Sequence, residues 1–582
     1  MAVARKHIIT LPLSLTLGRG IHRGTRRRGP NCGMAAPVFM KRILIAAALT
    51  SAFWSLTVRA ADPPRLVVIV VVDQFRADYL AVFAAHWRAG FKTLLSEGAN
   101  FTRAQYPYLH TDTCAGHATI STGTFPRTHG MIADNWWDRD LREDFECTRD
   151  PSARTVTYER PARIGNSAKW LLAPTLAERI REQRAGARVV TLSMKARGAI
   201  ALAGHSGNAV TWFEDAAGTF LTSSAYASAP VPEVKQFIDA SPYEKALNTT
   251  WNLRDAPTTY RNRDAGIGER PPAGWTGLFP HELKGAKGAD DQFAGLWRRS
   301  PSSDAYLGRL AASLIDAYGL GQRESTDYLG ISFSAVDFVG HAFGPDSREL
   351  EDTVARMDDV LGELITHLDG KVGRSNYILA LSADHGVAPV PTGDGAGRVA
   401  PQDVRERIED TLRNRDKTGT AGDYVEAIYV GDMYLAGKAK KIIASDPSLV
   451  RAVQDAVMAI PGVSQVLYTP MLSQAGDPMM RAAWLSSVPA RSGDFVVVLK
   501  RNWVFSGRAT ANAASHGSGY DYDQRVPLLL LGAGVKPGSY NAPATPADIA
   551  PTLAALTGVS LPTAEGRVLR EAFLVPAESL RR

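Results

Sequence analysis

The sequence predicts an α/β sandwich with a mostly parallel central sheet, helices on both faces and a small α+β cap inserted into it. Residues 66–72 (LVVIVVV) form an unbroken β-branched run, the pattern of a strand buried on both faces of a parallel sheet. Short apolar runs recur at 189–192, 328–333 (YLGISF), 377–381 (YILAL) and 526–531 (VPLLLL). Amphipathic helical patterns lie between them, and alternating strands and helices build a sheet of this kind.

The chain has 582 residues, enough for a large core and more than one structural unit. Its 45% hydrophobic and 21% charged content is that of an ordinary globular protein. The formal charge of +7 is unevenly spread. Residues 1–60 hold ten Lys/Arg and no Asp/Glu, so the rest carries 56 basic against 59 acidic residues. A remainder near neutrality argues against a nucleic-acid partner.

Residues 40–60 read as a signal peptide. Lys41 and Arg42 precede an apolar run at 43–58, which ends in Val58-Arg59-Ala60. The run is short for a membrane span, so no stable membrane insertion is expected and the mature protein would be periplasmic or secreted. Residues 1–39 form an odd leader for such a signal, and Met34 or Met40 is a plausible start of translation. The mature chain keeps Cys114 and Cys147, which an oxidising compartment would permit to pair without making a framework.

The strand at 66–72 stops at Asp73. The runs at 328–333 and 377–381 lead to Asp337 with His341 and to Asp384 with His385. The run at 189–192 leads to Lys195, and His516 precedes the run at 526–531. Ligands of open α/β sheets gather at the carboxyl ends of strands, so acids there are placed for chemistry. A helix is expected over 347–368, with Leu350, Val354, Met357, Leu361 and Ile365 on one face and Gly370 beyond its end. Another is expected over 304–318, capped by Ser302 or Ser303. Residues 204–299 lack sustained periodicity and read as loops decorating the core. Residues 402–505 give helix, strand (424–434), helix (448–460) and two strands (463–468, 494–500), an α+β cap inserted into a catalytic domain of residues 61–582.

The stretch 108–123 (YLHTDTCAGHATISTG) places Thr113 at the opening of a short helix. Unpaired N–H groups and the positive dipole end suit an anionic substrate there, although Thr before a helix also serves as a plain cap. Three Asp (73, 337, 384) and three His (341, 385, 516), mostly just after predicted strands, are ligands of the type that holds zinc.

As a set, these pieces resemble the alkaline phosphatase superfamily, and within it the phosphate-irrepressible alkaline phosphatases, relatives of the nucleotide pyrophosphatases/phosphodiesterases. The matching stretches are VVVDQFRADYL (70–80), TDTCAGHATISTGTFPRTHG (111–130), DNWWD (134–138), SMKARGAI (193–200), VDFVGHAFGPDS (336–347), SADHG (382–386), SHGSGYDYDQRVPLLLLG (515–532) and DIAPTLAALTGV (548–559). The resemblance implies an alkaline-phosphatase-like fold and two zinc ions. One would be held by Asp337, His341 and His516, the other by Asp73, Asp384, His385 and the Thr113 oxygen. It implies a phosphothreonine intermediate at Thr113, with Lys195 and Arg197 on the non-bridging oxygens, which favours phosphate monoesters over diesters. The family places an Asn on the phosphoryl oxygens where this chain has Asp134, followed by Asn135. Either Asn135 takes that contact, or Asp134 is protonated or paired with a nearby cation.

Overall fold

The computed structural model describes residues 63–157, 164–214, 217–419, 421–474, 476–506 and 512–574. The expected extension (1–39) and signal segment (40–60) lie outside the described residues. Six strands frame the centre: β1 (Leu66–Val72), β2 (Val189–Ser193), β3 (Ala209–Glu214), β4 (Asp327–Phe333), β5 (Tyr377–Ser382) and β6 (Leu528–Gly532). β1 is fully buried along its length, as its unbroken apolar run requires. It pairs in parallel with β4 on one side and β5 on the other. β4 pairs in parallel with β2, and β2 with β3. β6 runs antiparallel to β5 and starts after Pro527, which has no N–H to give to a ladder. The whole sheet has eleven strands and bears out the expected mostly parallel α/β architecture.

Register is what makes this sheet useful. Val72 aligns with Phe333, Val71 with Ser382, and Ser332 with Ser193. Four parallel strands therefore end at one level, and Asp73, Lys195, Asp337 and Asp384, which follow them by one to four residues, leave the sheet at the same edge.

Four helices complete this edge: α1 (Thr113–Thr122), α2 (Ala196–Ala203), α3 (Ala335–Phe343) and α4 (Arg348–Lys371). All ten residues of α1 are buried, and Gly123 ends it in the left-handed region at φ 69°. Gly116 is obligatory there, since a Cβ would stand 2.1 Å from the Asp384 carbonyl oxygen. α4 is capped by Ser347, whose Oγ accepts from Leu350 N–H, and buries the predicted face of Leu350, Val354, Met357, Leu361 and Ile365. It continues through Gly370, which the sequence reading placed beyond its end. The turn comes at Gly373, φ 86°. The helix expected at 304–318 begins earlier, at Pro301, behind a Ser300 cap.

The 204–299 stretch is more ordered than expected. β3 and Thr219–Ser223 belong to the main sheet, and Pro232–Ala240 and Asp291–Arg298 are helices. The strand expected at 424–434 is instead a hairpin, Val425–Tyr429 and Asp432–Leu435, turning at Val430 (φ 48°) and Gly431. These strands join Phe495–Leu499 and Val463–Tyr468 in a separate four-stranded antiparallel sheet. Val404, Ile408, Leu412, Val453, Val457 and Phe495 form the centre of its apolar cluster. Among the described residues no helix is long and apolar enough to cross a membrane.

Candidate active site

Thr113, the first residue of α1, is fully buried, and its Oγ1 lies 3.4 Å from His385 Nε2. His385 Nε2 is in turn 3.6 Å from both Asp73 Oδ1 and Asp384 Oδ2. A second group adjoins the first. Asp337 Oδ1 lies 3.2 Å from His341 Nε2 and 3.9 Å from His516 Nε2, and the His385 and His516 rings stack with centroids 3.6 Å apart. Asp73, Asp384 and His385 can converge on one ion, as can Asp337, His385 and His516. The fold thus brings all six Asp and His candidates and Thr113 to one place, with His385 between the two groups.

Each of the three histidines is fixed in the same way. Nδ1–H donates to a backbone carbonyl: His341 to Ala514 (2.9 Å), His385 to Gly386 (2.9 Å) and His516 to Thr111 (3.0 Å). A carbonyl can only accept, so each Nδ1 carries a hydrogen and each Nε2 is turned toward the carboxylates, the orientation of imidazoles that hold metal. Asp73 and Asp384 are fully buried, with Lys195 Nζ 2.5 Å from Asp73 Oδ2 and His117 Nδ1 3.2 Å from Asp384 Oδ2. Three buried carboxylates against one lysine leave uncompensated negative charge. Carboxylates and imidazoles so placed fit divalent cations of the zinc type.

The electrostatics follow from that crowding. Burial, then the Asp337 and Asp384 charges, push the Asp73 carboxyl well above the usual range. Burial opposes ionisation of Asp337 and Asp384 too. Lys195 and His341 nevertheless hold Asp337 well below its ordinary value, and His385 and His117 do the same for Asp384. Lys195 Nζ is also 2.6 Å from Asp337 Oδ2; burial lowers its pKa, but Asp337 and Asp73 more than offset this.

Sequence reasoning missed two residues that brace these groups. Gln74, in the left-handed region at φ 66°, donates its backbone N–H to Asp384 Oδ1 (3.1 Å) and its Nε2–H to Asp337 Oδ1 (2.6 Å). His117 Nδ1 lies 2.8 Å from the Thr113 carbonyl and 3.2 Å from Asp384 Oδ2. The only sequence signal for either was its place inside a matching motif.

Lys195 and Arg197 open α2 at the same edge. Arg197 Nε lies 3.1 Å from Asp134 Oδ2, and Asp134 Oδ1 accepts the Cys114 N–H at 2.9 Å. Asp134 is therefore paired with a cation, one of the alternatives left open by the sequence. Asn135 begins the short strand Asn135–Asp138 and pairs with Glu146 across the ladder. Cys114 and Cys147 form a disulfide, which ties the start of α1 to the residues after that ladder.

Residues 67–521 match the family model described as type I phosphodiesterase / nucleotide pyrophosphatase. The chain belongs to this family. Within the type I phosphodiesterase / nucleotide pyrophosphatase family, it is 32% identical over 520 residues to alkaline phosphatase PhoV of Synechococcus elongatus, covering 87% of this chain and 92% of that protein. It is 29% identical over 551 residues to alkaline phosphatase PafA of Elizabethkingia meningoseptica, covering 88% and 95%. The crystal structure of wild-type PafA superposes with a TM-score of 0.79 at 28% identity, over 88% of this chain and all of that one. The alkaline phosphatase resemblance drawn from the motifs is borne out.

Proposed function

We propose that this chain is an exported, two-zinc alkaline phosphatase acting on small phosphate monoesters through a phosphothreonine at Thr113. It is a phosphoric monoester hydrolase, as the relatives matched over most of their length are named alkaline phosphatases. The finer reading rests on one observation: Lys195 and Arg197 stand on the first turn of α2, beside the group that surrounds Thr113.

Asp73, Asp384 and His385, with the Thr113 oxygen, would hold one zinc, and Asp337, His341 and His516 the other. Bound there, the pair supplies Lewis acidity and positive charge for the attacking and leaving oxygens. The chain's own groups do the rest. Thr113 Oγ forms a bond to phosphorus as the ester P–O bond breaks and the alcohol leaves. Water then cleaves the Oγ–P bond and releases phosphate. Lys195 and Arg197 bind the non-bridging oxygens, where a monoester dianion has a charged oxygen that a diester replaces with an ester group. Asp134 orients Arg197, while Gln74 and His117 hold the carboxylates in register. A phosphodiesterase on the same scaffold is the rival reading, and this cationic pair disfavours it.

Thr113→Ala should abolish turnover of p-nitrophenyl phosphate while metal content stays near that of the wild type. Acid-quenched wild-type enzyme should carry phosphate on Thr113 by mass spectrometry. Phosphate on another residue, or turnover by the variant at the wild-type rate, would overturn the assignment. Export is supported by the Lys41-Arg42, apolar and Val58-Arg59-Ala60 succession, and N-terminal sequencing of secreted protein should begin near Ala61.

A further inference from the structure

Beside His516, and lined also by residues of the four-stranded sheet, is a cavity of about 240 Å³. Its lining includes His516, Asp112 and Asp134. Asp112 directly precedes Thr113, and Asp134 holds Arg197, so these residues place the cavity next to where a phosphoryl group would be bound. Its lining also includes Tyr429, Leu499, Trp503 and Phe505.

The apolar wall is preorganised. Trp503 Nε1–H donates to the Gly395 carbonyl at 2.9 Å. Its ring packs so tightly that a Cβ at Gly397 or Gly462 would stand 2.7 Å or 2.0 Å from it. The Phe505 ring abuts Gly431 in the same way, at 3.3 Å. Tyr429 is half-buried, and burial together with the nearby Asp112 and Asp134 charges keeps its phenol protonated. Aromatic side chains fixed in this way favour a flat ring through offset or edge-on contact.

Volume and charge narrow the ligand further. The cavity is smaller than the roughly 300–1,000 Å³ that enclose a drug-sized molecule, a size that suits one ring. Among the described residues lining it none is Lys or Arg, whereas Asp112, Asp134 and Asp523 are present. A leaving group carrying a second phosphate would meet these three carboxylates, with His110 and His516 the only basic side chains in the described lining.

We propose that this cavity is the leaving-group subsite and that it selects monoesters whose leaving group is a single aromatic ring over alkyl or further phosphorylated ones. This rests on the monoesterase reading above. Phosphonates separate ring binding from leaving-group chemistry, because their P–C bond is not hydrolysed. Phenylphosphonate should inhibit about tenfold more tightly than methylphosphonate, the return on burying part of one ring. Trp503→Ala and Tyr429→Ala should each bring that ratio toward one and leave inhibition by inorganic phosphate within about twofold of wild type. Tyr429→Phe should keep the ratio. Equal constants for the two phosphonates in the wild type would overturn the proposal alone. So would Ala variants that weaken all three inhibitors in parallel, since the wall would then be only structural. Failure of inorganic phosphate to inhibit at all would remove the monoesterase reading and the proposal with it.

Discussion

Asp134→Asn probes the position at which this chain departs from its family's motif. In the structure Asp134 Oδ2 lies 3.1 Å from Arg197 Nε, and its Oδ1 accepts from Cys114 N–H. A phosphoryl oxygen held about 4 Å beyond Arg197 would stand about 7 Å from the carboxylate, where two unit charges interact by about 2.4 kcal/mol at an effective dielectric near 20. Asn removes that repulsion and keeps an oxygen for the Cys114 N–H. The side chains of Arg197 and Asp134 are 24% and 18% exposed, so solvent screening lowers the gain. About tenfold, or ~1.4 kcal/mol, is the effect to expect. The assay is the inhibition constant of inorganic phosphate, with kcat/KM on p-nitrophenyl phosphate and on its bis-ester. Phosphate inhibition and monoester kcat/KM should both improve by about tenfold, and the diester should change much less because it carries less charge. Values within twofold of wild type would mean that Asp134 lies outside the field of the phosphoryl group. A tenfold loss would mean that anchoring Arg197 outweighs the repulsion, and the electrostatic argument would fail.

Other expectations are open to direct test. Lys195→Ala combined with Arg197→Ala should slow monoester hydrolysis far more than diester hydrolysis, and equal losses would make the pair structural. Glu349 donates or shares a proton with His281 Nε2 at 2.9 Å, and burial raises its pKa to about 8 while lowering that of His281 to about 4. The folded state therefore keeps a carboxyl proton that the unfolded chain loses above about pH 4.5, while folded His281 stays neutral where the unfolded imidazole is charged; the two offset each other up to about pH 6.5, and from there to about pH 8 stability falls as pH rises. Glu349→Gln should flatten that part of the Tm–pH curve, and a slope unchanged from wild type would exclude Glu349 as its source. Reducing the Cys114–Cys147 bridge, which spans 33 residues, releases loop entropy. The double Ser variant should lose about 3–4 kcal/mol in chemical denaturation, and a loss near zero would show that packing alone fixes this corner.

The sequence by itself determined the parts whose pattern is local. A seven-residue run dominated by Val and Ile favours a strand covered on both faces over a helix, so β1 was legible. The polar residues directly after β1, β4 and β5 were legible as a chemical edge for the same reason: a buried strand ends where charge begins. α4 was readable from its 3.6-residue stripe and Ser cap. α1 was only half legible. Buried on every side and built mostly from small residues, it has no polar face to set a period; Gly116 lets it pass the Asp384 backbone and Gly123 ends it. The strands within 204–299 were hidden because short segments take their strand character from the neighbours they pair with. Tertiary structure alone decided the pairing of Asp134 with Arg197, 63 positions away, the seating of His385 between the two ligand groups, and the bracing by Gln74 and His117. It also decided the cavity, whose acidic residues come from the main fold and whose Tyr429, Trp503 and Phe505 come from residues 429–505. Such contacts join residues tens to hundreds of positions apart, and only sheet register and packing bring them within bonding distance, so no local pattern encodes them.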